Sequence, residues 1–316
     1  MRAIGAKTKL VVDEETTYKT DPATVNGRLI PFTSVNIKAT QELLKDESFR
    51  GDRNPYKPKP GNISVSGSIG CNISETAHAI LLKHLLGGVT TTGAADPYTH
   101  VLKPGALPVG LVINKEFTDI GQYHKFNGCR VASCEISGAP NGHIAATFNI
   151  TGAKETAGTT PYDATITELA YDPFTGFEGS VLEGGAAIGT VTNFKVSISN
   201  ELDEDGYALG GSGERIDLPE GNVAVTGSIE AFFEDDTLLA KARNSTETSL
   251  KITLNKGVTP ARTMEILIPE LVFERTGPEV SGPKGIKTAF TFQGYYDNSP
   301  EAASIQITLQ NGLATL

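Results

Sequence analysis

The sequence predicts a mainly β protein made of two tandem β-sandwich domains, each with one flanking α-helix. Three observations carry that expectation. The 316 residues include 34 Gly and 17 Pro but no Trp and only two Met, a supply of turn formers that favours many short strands. Apolar and polar residues alternate with period two along several stretches, as in a strand with one face buried. The chain also writes one stretch twice. "GNISVSGSI" at 61–69 and "GNVAVTGSI" at 221–229 agree at six of nine positions, and the other three exchange like for like (Ile63/Val223, Ser64/Ala224, Ser66/Thr226).

The repeat extends in both directions. Upstream, "FTSVNIKATQEL" (32–43) matches "VTNFKVSISNEL" (191–202) at an offset of 159 residues, with Thr33 on Thr192 and Leu43 on Leu202. Downstream, "HIAATFNITG" (143–152) matches "GIKTAFTFQG" (285–294) at an offset of 142, with Phe148 on Phe290 and Gly152 on Gly294. The order of the blocks is kept. This gives a first domain at 1–155 with an N-terminal arm, a Gly- and Thr-rich connector at 156–189, and a second domain at 190–316.

The elements follow in order. In 61–74, Ile63, Val65, Ile69, Cys71 and Ile73 share one strand face, and Asn62, Ser64, Ser66, Ser68, Asn72 and Ser74 the other. Val223, Val225, Ile229 and Phe233 repeat the apolar set. Upstream, Val35, Ile37, Ala39 and Phe194, Val196, Ile198 supply the preceding strand of each copy, so each copy opens with an antiparallel hairpin and a long polar tip. A helix follows in "SETAHAILLKHLLGG", with Ser74 as N-cap and Gly87 or Gly88 as stop. Its weaker counterpart is "EDDTLLAKARN". Further strands are expected at 111–114, 130–136 and 144–151, then at 250–254, 265–274, 288–293 and 304–310. The wet faces are small and neutral, with few Lys or Glu.

The net charge of −10 and pI near 5.1 leave no basic excess for gripping phosphates,. Three cysteines, Cys71, Cys129 and Cys134, form no disulfide framework. No segment is apolar enough for a signal peptide or a membrane span, so synthesis in a reducing cytosol is expected and the Asn-x-Ser/Thr triplets at Asn62, Asn72, Asn149 and Asn244 read as chance. His78 and His84 lie six apart, off a common helix face. His100, His124 and His143 are scattered, and a separation of five positions places Cys129 and Cys134 on opposite strand faces. "GGSGER" (210–215) does not sit between a strand and a helix as a phosphate cradle must. "DEDG" (203–206) lacks the later Glu of a calcium loop. No reactive residue occurs in both copies, so the repeat encodes a shape. No catalytic residue, metal ligand or cofactor is assigned.

The chain resembles tail tube proteins of long-tailed bacteriophages. The residues that carry the resemblance are, in order, "VVDEETTYKT", "IPFTS", "VSGSI", "HAILLKHLLG", "YTHVL", "GCRVASCEISG", "PFTGFEGSV" and "VTGSIEAFF". The resemblance implies two packed β-sheets with a flanking helix, and subunits whose strands join into an inter-subunit β-barrel. Rings of such subunits stack into a tube that conducts DNA into the host. Six tube domains are usual in such a ring, so two domains per chain imply a homotrimeric ring with pseudo-sixfold symmetry. Partners so implied are the chain itself, the tail tip or initiator complex, the tape measure protein and the tail terminator. DNA would pass through without specific binding, in a virion tail assembled in the host cytoplasm. Asn62, Ser64, Ser66, Ser68, Asn222, Thr226 and Ser228 would face the lumen. The hairpin tips, 44–60 and 203–220, become candidates for contacts between chains, with Asp46, Arg50, Arg53 and Tyr56 in the first and Asp205, Tyr207, Glu214 and Arg215 in the second.

Two other readings compete. A two-domain β-sandwich binding module of a virion or cell surface would present aromatic platforms, for which Tyr98, Tyr123 and Tyr207 are the candidates. The inner tube of a contractile injection device would share the fold and differ in having a sheath.

Overall fold

In the computed structural model, which describes residues 2–280 and 282–316, the two expected hairpins are present. Strand Lys38–Leu44 pairs antiparallel with Lys59–Asn72, and Val191–Ser199 pairs with Ala224–Phe232. Each hairpin is extended by two more antiparallel strands. In the first half these are Ala145–Gly152 and then Gln122–Gly138. In the second they are Lys287–Tyr295 and then Thr263–Phe273. The halves are then joined edge to edge, because residues 133–138 pair with 194–199. One antiparallel sheet of eight strands therefore runs through the chain.

A second layer covers one face of this sheet. Over the first half it contains Thr8–Glu15, Gly110–Phe117, the start of strand 122–138 and Lys154–Gly158. Over the second it contains Gly179–Glu183, Thr248–Asn255, the start of strand 263–273 and Gln306–Asn311. Strand 179–183 lies in the stretch expected as connector, yet it pairs with 248–255 as Thr8–Glu15 pairs with 110–117. The hairpin of Gly87–Thr92 and Tyr98–Pro104 has no counterpart among the described residues of the second half and reaches across to pair with strand 306–311.

Most of the apolar residues named from the sequence fill the space between the layers, but Phe233, expected with Val225 and Ile229, lies past the end of strand 224–232 and is 38% exposed. Val65, Ile69, Phe148, Ile136, Val196, Ile198, Ile229, Phe290 and Phe292 are buried and belong to one continuous core that spans both halves. Burial of each such side chain stabilises the fold by about 1.5–3 kcal/mol.

Polar contacts also hold the halves together. Asn200 Nδ2 donates to the Leu85 and Val131 carbonyls at 2.8 and 2.9 Å. Lys256 pairs with Glu75 at 2.7 Å, both side chains 4% exposed, and its ammonium lies 4.8 Å from the Phe174 ring centroid. Arg262 forks onto Asp96 at 2.8 and 2.9 Å.

Two local expectations are corrected. The first helix spans Ala79–Leu86, with His78 rather than Ser74 at its N-cap. Buried His78 closes a local turn instead, its Nδ1 accepting the Ser74 amide at 3.1 Å and its Nε2 donating to the Pro31 carbonyl at 2.9 Å. Gly87, at φ 79°, ends the helix as expected, in a conformation that favours glycine,. Its counterpart is Thr237–Asn244. Cys129 and Cys134 do not lie on opposite faces. A bulge in strand 122–138, opposite Asn149/Ile150, shifts the alternation by one residue, and both thiols are fully buried,.

Candidate assembly surface

The uncovered face of the eight-stranded sheet carries the small polar residues. Thr147, Glu135, Ser197, Thr226 and Gln293 stand in one paired row across five strands. The row beside it contains Ser68, Asn149, Ser133 and Ser199, with Asn149 Nδ2 donating to Ser133 Oγ at 2.8 Å. Of the residues singled out from the sequence, Asn62, Ser66, Asn222 and Thr226 are exposed, and Ser64, Ser68 and Ser228 are half-buried. Two ion pairs lie on this face, Lys195 with Glu135 at 2.7 Å across the seam and Lys287 with Glu230 at 3.0 Å, and exposed Lys38 stands opposite Ser66. Such exposed pairs add little stability. Their effect is to cancel charge on this polar face.

The two long loops behave differently. Loop 203–220 packs on the first half of the chain. Gly213 O accepts the Ile63 amide at 2.7 Å, and Tyr207 Oη donates to Ile63 O at 3.0 Å. Arg215, 3% exposed, donates through Nη1 to Gly152 O at 2.8 Å and through Nη2 to Ser64 Oγ at 3.1 Å. Glu214 pairs with Lys19 at 3.2 Å, and Glu220 with Arg130 at 2.7 Å. Asp205 is exposed, and its amide donates to Asp203 Oδ1 at 3.0 Å in a local turn. Loop 44–60 is exposed throughout. Its contacts are internal: Arg50 Nε donates to Asp52 at 2.9 Å and its guanidinium lies 5.3 Å from the Tyr56 ring centroid, while the Ser48 amide donates to Asp46 at 3.0 Å. Arg53 is exposed, and Phe49 is wholly exposed at 102%.

The sheet ends in one long open edge and one short one. Strand 38–44 pairs on one side only, with 59–72. At the other end, strand 263–273 pairs with 292–295 through residues 270–273 and with 248–255 through residues 263–271, so only Val272 and Phe273 lack a second neighbour among the described residues, and residues 274–280 continue outside any strand. Long unpaired edges invite pairing with another chain.

The interior offers structural chemistry only. Burial pushes the Cys71 thiol up to about 12 and those of Cys129 and Cys134 well above the usual range, which leaves them inert at neutral pH,. Burial alone would raise the Glu14 carboxyl, but hydrogen bonds from His84 (2.8 Å) and Lys83 (3.1 Å) outweigh it and hold Glu14 at about 2. Burial lowers His84 itself, against the opposing pull of the Glu14 carboxylate. Among the described residues no three His, Cys, Asp or Glu side chains gather as a metal site.

A through-going eight-stranded sheet with a small polar face and an open edge at strand 38–44 defines a mainly β protein. The chain belongs to the phage tail tube protein family, whose model matches residues 5–294. It is thus a structural component of the virion tail. No curated protein matches it.

Proposed function

We propose that the chain polymerises into stacked rings that form the hollow tail tube, and that DNA passes along the neutral polar face of the eight-stranded sheet. The observation that carries this reading is the seam between 133–138 and 194–199. It joins two similar four-strand units edge to edge, and it leaves strand 38–44 open at one end of the sheet and the short stretch from Val272 onward at the other. Repeating the junction between chains closes the sheet and removes both edges. With two units per chain, three chains supply the six units of a pseudo-sixfold ring, a wall of roughly two dozen strands. The contact is head-to-tail, so it closes within the ring while stacking stays open along the axis.

The second unit on this reading is a duplicate of the first and begins at strand 179–183, because that strand plays the part of 8–15. Hairpin 87–104 bridges the units within a chain, so contacts within and between chains differ outside the wall. The paired charges on the wall let phosphates slide, since no unpaired cation cluster holds them,. Electron microscopy of the concentrated protein with light scattering tests this. Hollow tubes or rings of three chains are expected. A chain that stays monomeric even with an initiator complex present would overturn the proposal.

A further inference from the structure

We propose that loop 44–60 is a latch that docks on the second half of a neighbouring copy of this chain, where it repeats in trans what loop 203–220 does in cis. The inference rests on the head-to-tail ring proposed above and adds to it a specific contact. The two loops leave equivalent strands, since the 159-residue offset sets Leu43 on Leu202. Loop 203–220 reaches the first half because the seam places strand 191–199 beside strand 122–138. Strand 38–44 has an open edge instead, so within one chain loop 44–60 has no surface of that kind to rest on.

Both halves of the proposed contact are present and unused. Each loop carries an arginine stacked on a tyrosine. Arg215 lies 5.4 Å from the Tyr207 ring centroid and Arg50 lies 5.3 Å from that of Tyr56. The first stack is spent on the Ile63, Ser64 and Gly152 backbone and side-chain oxygens, and the second faces solvent. The surface equivalent to 63–65 and 152 is 223–225 and 294, which the sequence repeat and the register Val225↔Gly294 against Val65↔Gly152 both identify. The Ile63 amide is taken by Gly213 O, whereas the Val223 amide has no hydrogen-bond partner among the described residues. Charge agrees. Loop 44–60 holds five Lys or Arg against three Asp or Glu, and exposed Glu247 and Asp297 flank the proposed acceptor,.

Phe49, wholly exposed, is the position for a photo-reactive benzophenone side chain. Assembled material is irradiated, separated under denaturing conditions, and the joined peptides are read by mass spectrometry, with electron microscopy of the same sample. Cross-links between chains that join Phe49 to residues 222–225 or 293–297 are expected. The doubly truncated variant Arg50→Ala/Tyr56→Ala is expected to melt with the parent but to need about tenfold more protein to assemble. Tubes whose cross-links fall elsewhere, or assembly of the double variant at the parent concentration, would overturn the latch and leave the tube intact. A chain that forms no rings or tubes would overturn the tube proposal and the latch with it.

Discussion

Arg215→Ala is expected to loosen the isolated chain, and its size can be worked from the contacts. Arg215 is 3% exposed and donates to Gly152 O and Glu204 O at 2.8 Å each, to Ser64 Oγ at 3.1 Å and to Val65 O at 3.4 Å. Hydrogen bonds to a charged group contribute about 1.5–3 kcal/mol each, offset by the desolvation of the guanidinium. Truncation leaves Gly152 O without its donor in the interior, while water reaches the Glu204 side. The net loss expected is about 2–4 kcal/mol. Urea denaturation followed by circular dichroism reads the total. Hydrogen exchange at the Ile63 amide, which donates to Gly213 O at 2.7 Å, reads the loop itself. That second readout matters, because a layered chain of 316 residues need not unfold in one step,. Arg50→Ala serves as the contrast and should stay within about 0.5 kcal/mol, as an exposed substitution does. A loss below about 0.5 kcal/mol for Arg215→Ala, with unchanged exchange at Ile63, would refute the cis latch.

Lys256→Met strands the Glu75 carboxylate in an interior where both side chains are 4% exposed, and should cost about 3–5 kcal/mol in denaturant,. Adding Glu75→Gln should recover part of that loss. Phe148→Ala empties a fully buried ring site between the layers and should cost about 3–5 kcal/mol by thermal or urea unfolding,. Glu14 has a folded value of about 2, below its ordinary 4.5, so its contribution is present above about pH 4.5 and is lost as pH falls toward 2,. With a third of that side chain exposed, the contribution is discounted to about 1–2 kcal/mol,. The stability gap between parent and Glu14→Gln should be open at pH 7 and closed near pH 2 in unfolding curves, and a gap constant with pH would contradict the assignment.

The hairpins were legible because alternation and the repeated nine residues are local signals. The seam between 133–138 and 194–199 was not. Pairing between distant edges leaves no mark in either strand, since both edges carry ordinary alternating sequence. Strand 179–183 was hidden in a Gly-rich stretch because a five-residue strand shows little periodicity. The shared face of Cys129 and Cys134 depended on a bulge, and one extra residue inverts any reading by parity,. The helix began late because buried His78 captures the Ser74 amide and closes a turn where a cap was expected. The small polar wall residues were visible as a pattern, and the structure adds that they line up across the seam. The two loops looked alike in length. Only the three-dimensional pairing of the halves separates the one that is seated from the one that is exposed.

The central claim is that three copies of this chain close one continuous sheet with its small polar face inward. A cross-section of the assembled tube by electron cryomicroscopy tests it most directly. The account expects three chains per ring, eight strands from each chain in an unbroken wall, and the row containing Thr147, Ser197 and Thr226 facing the lumen. Rings of six chains, or a wall with that row turned outward, would contradict it.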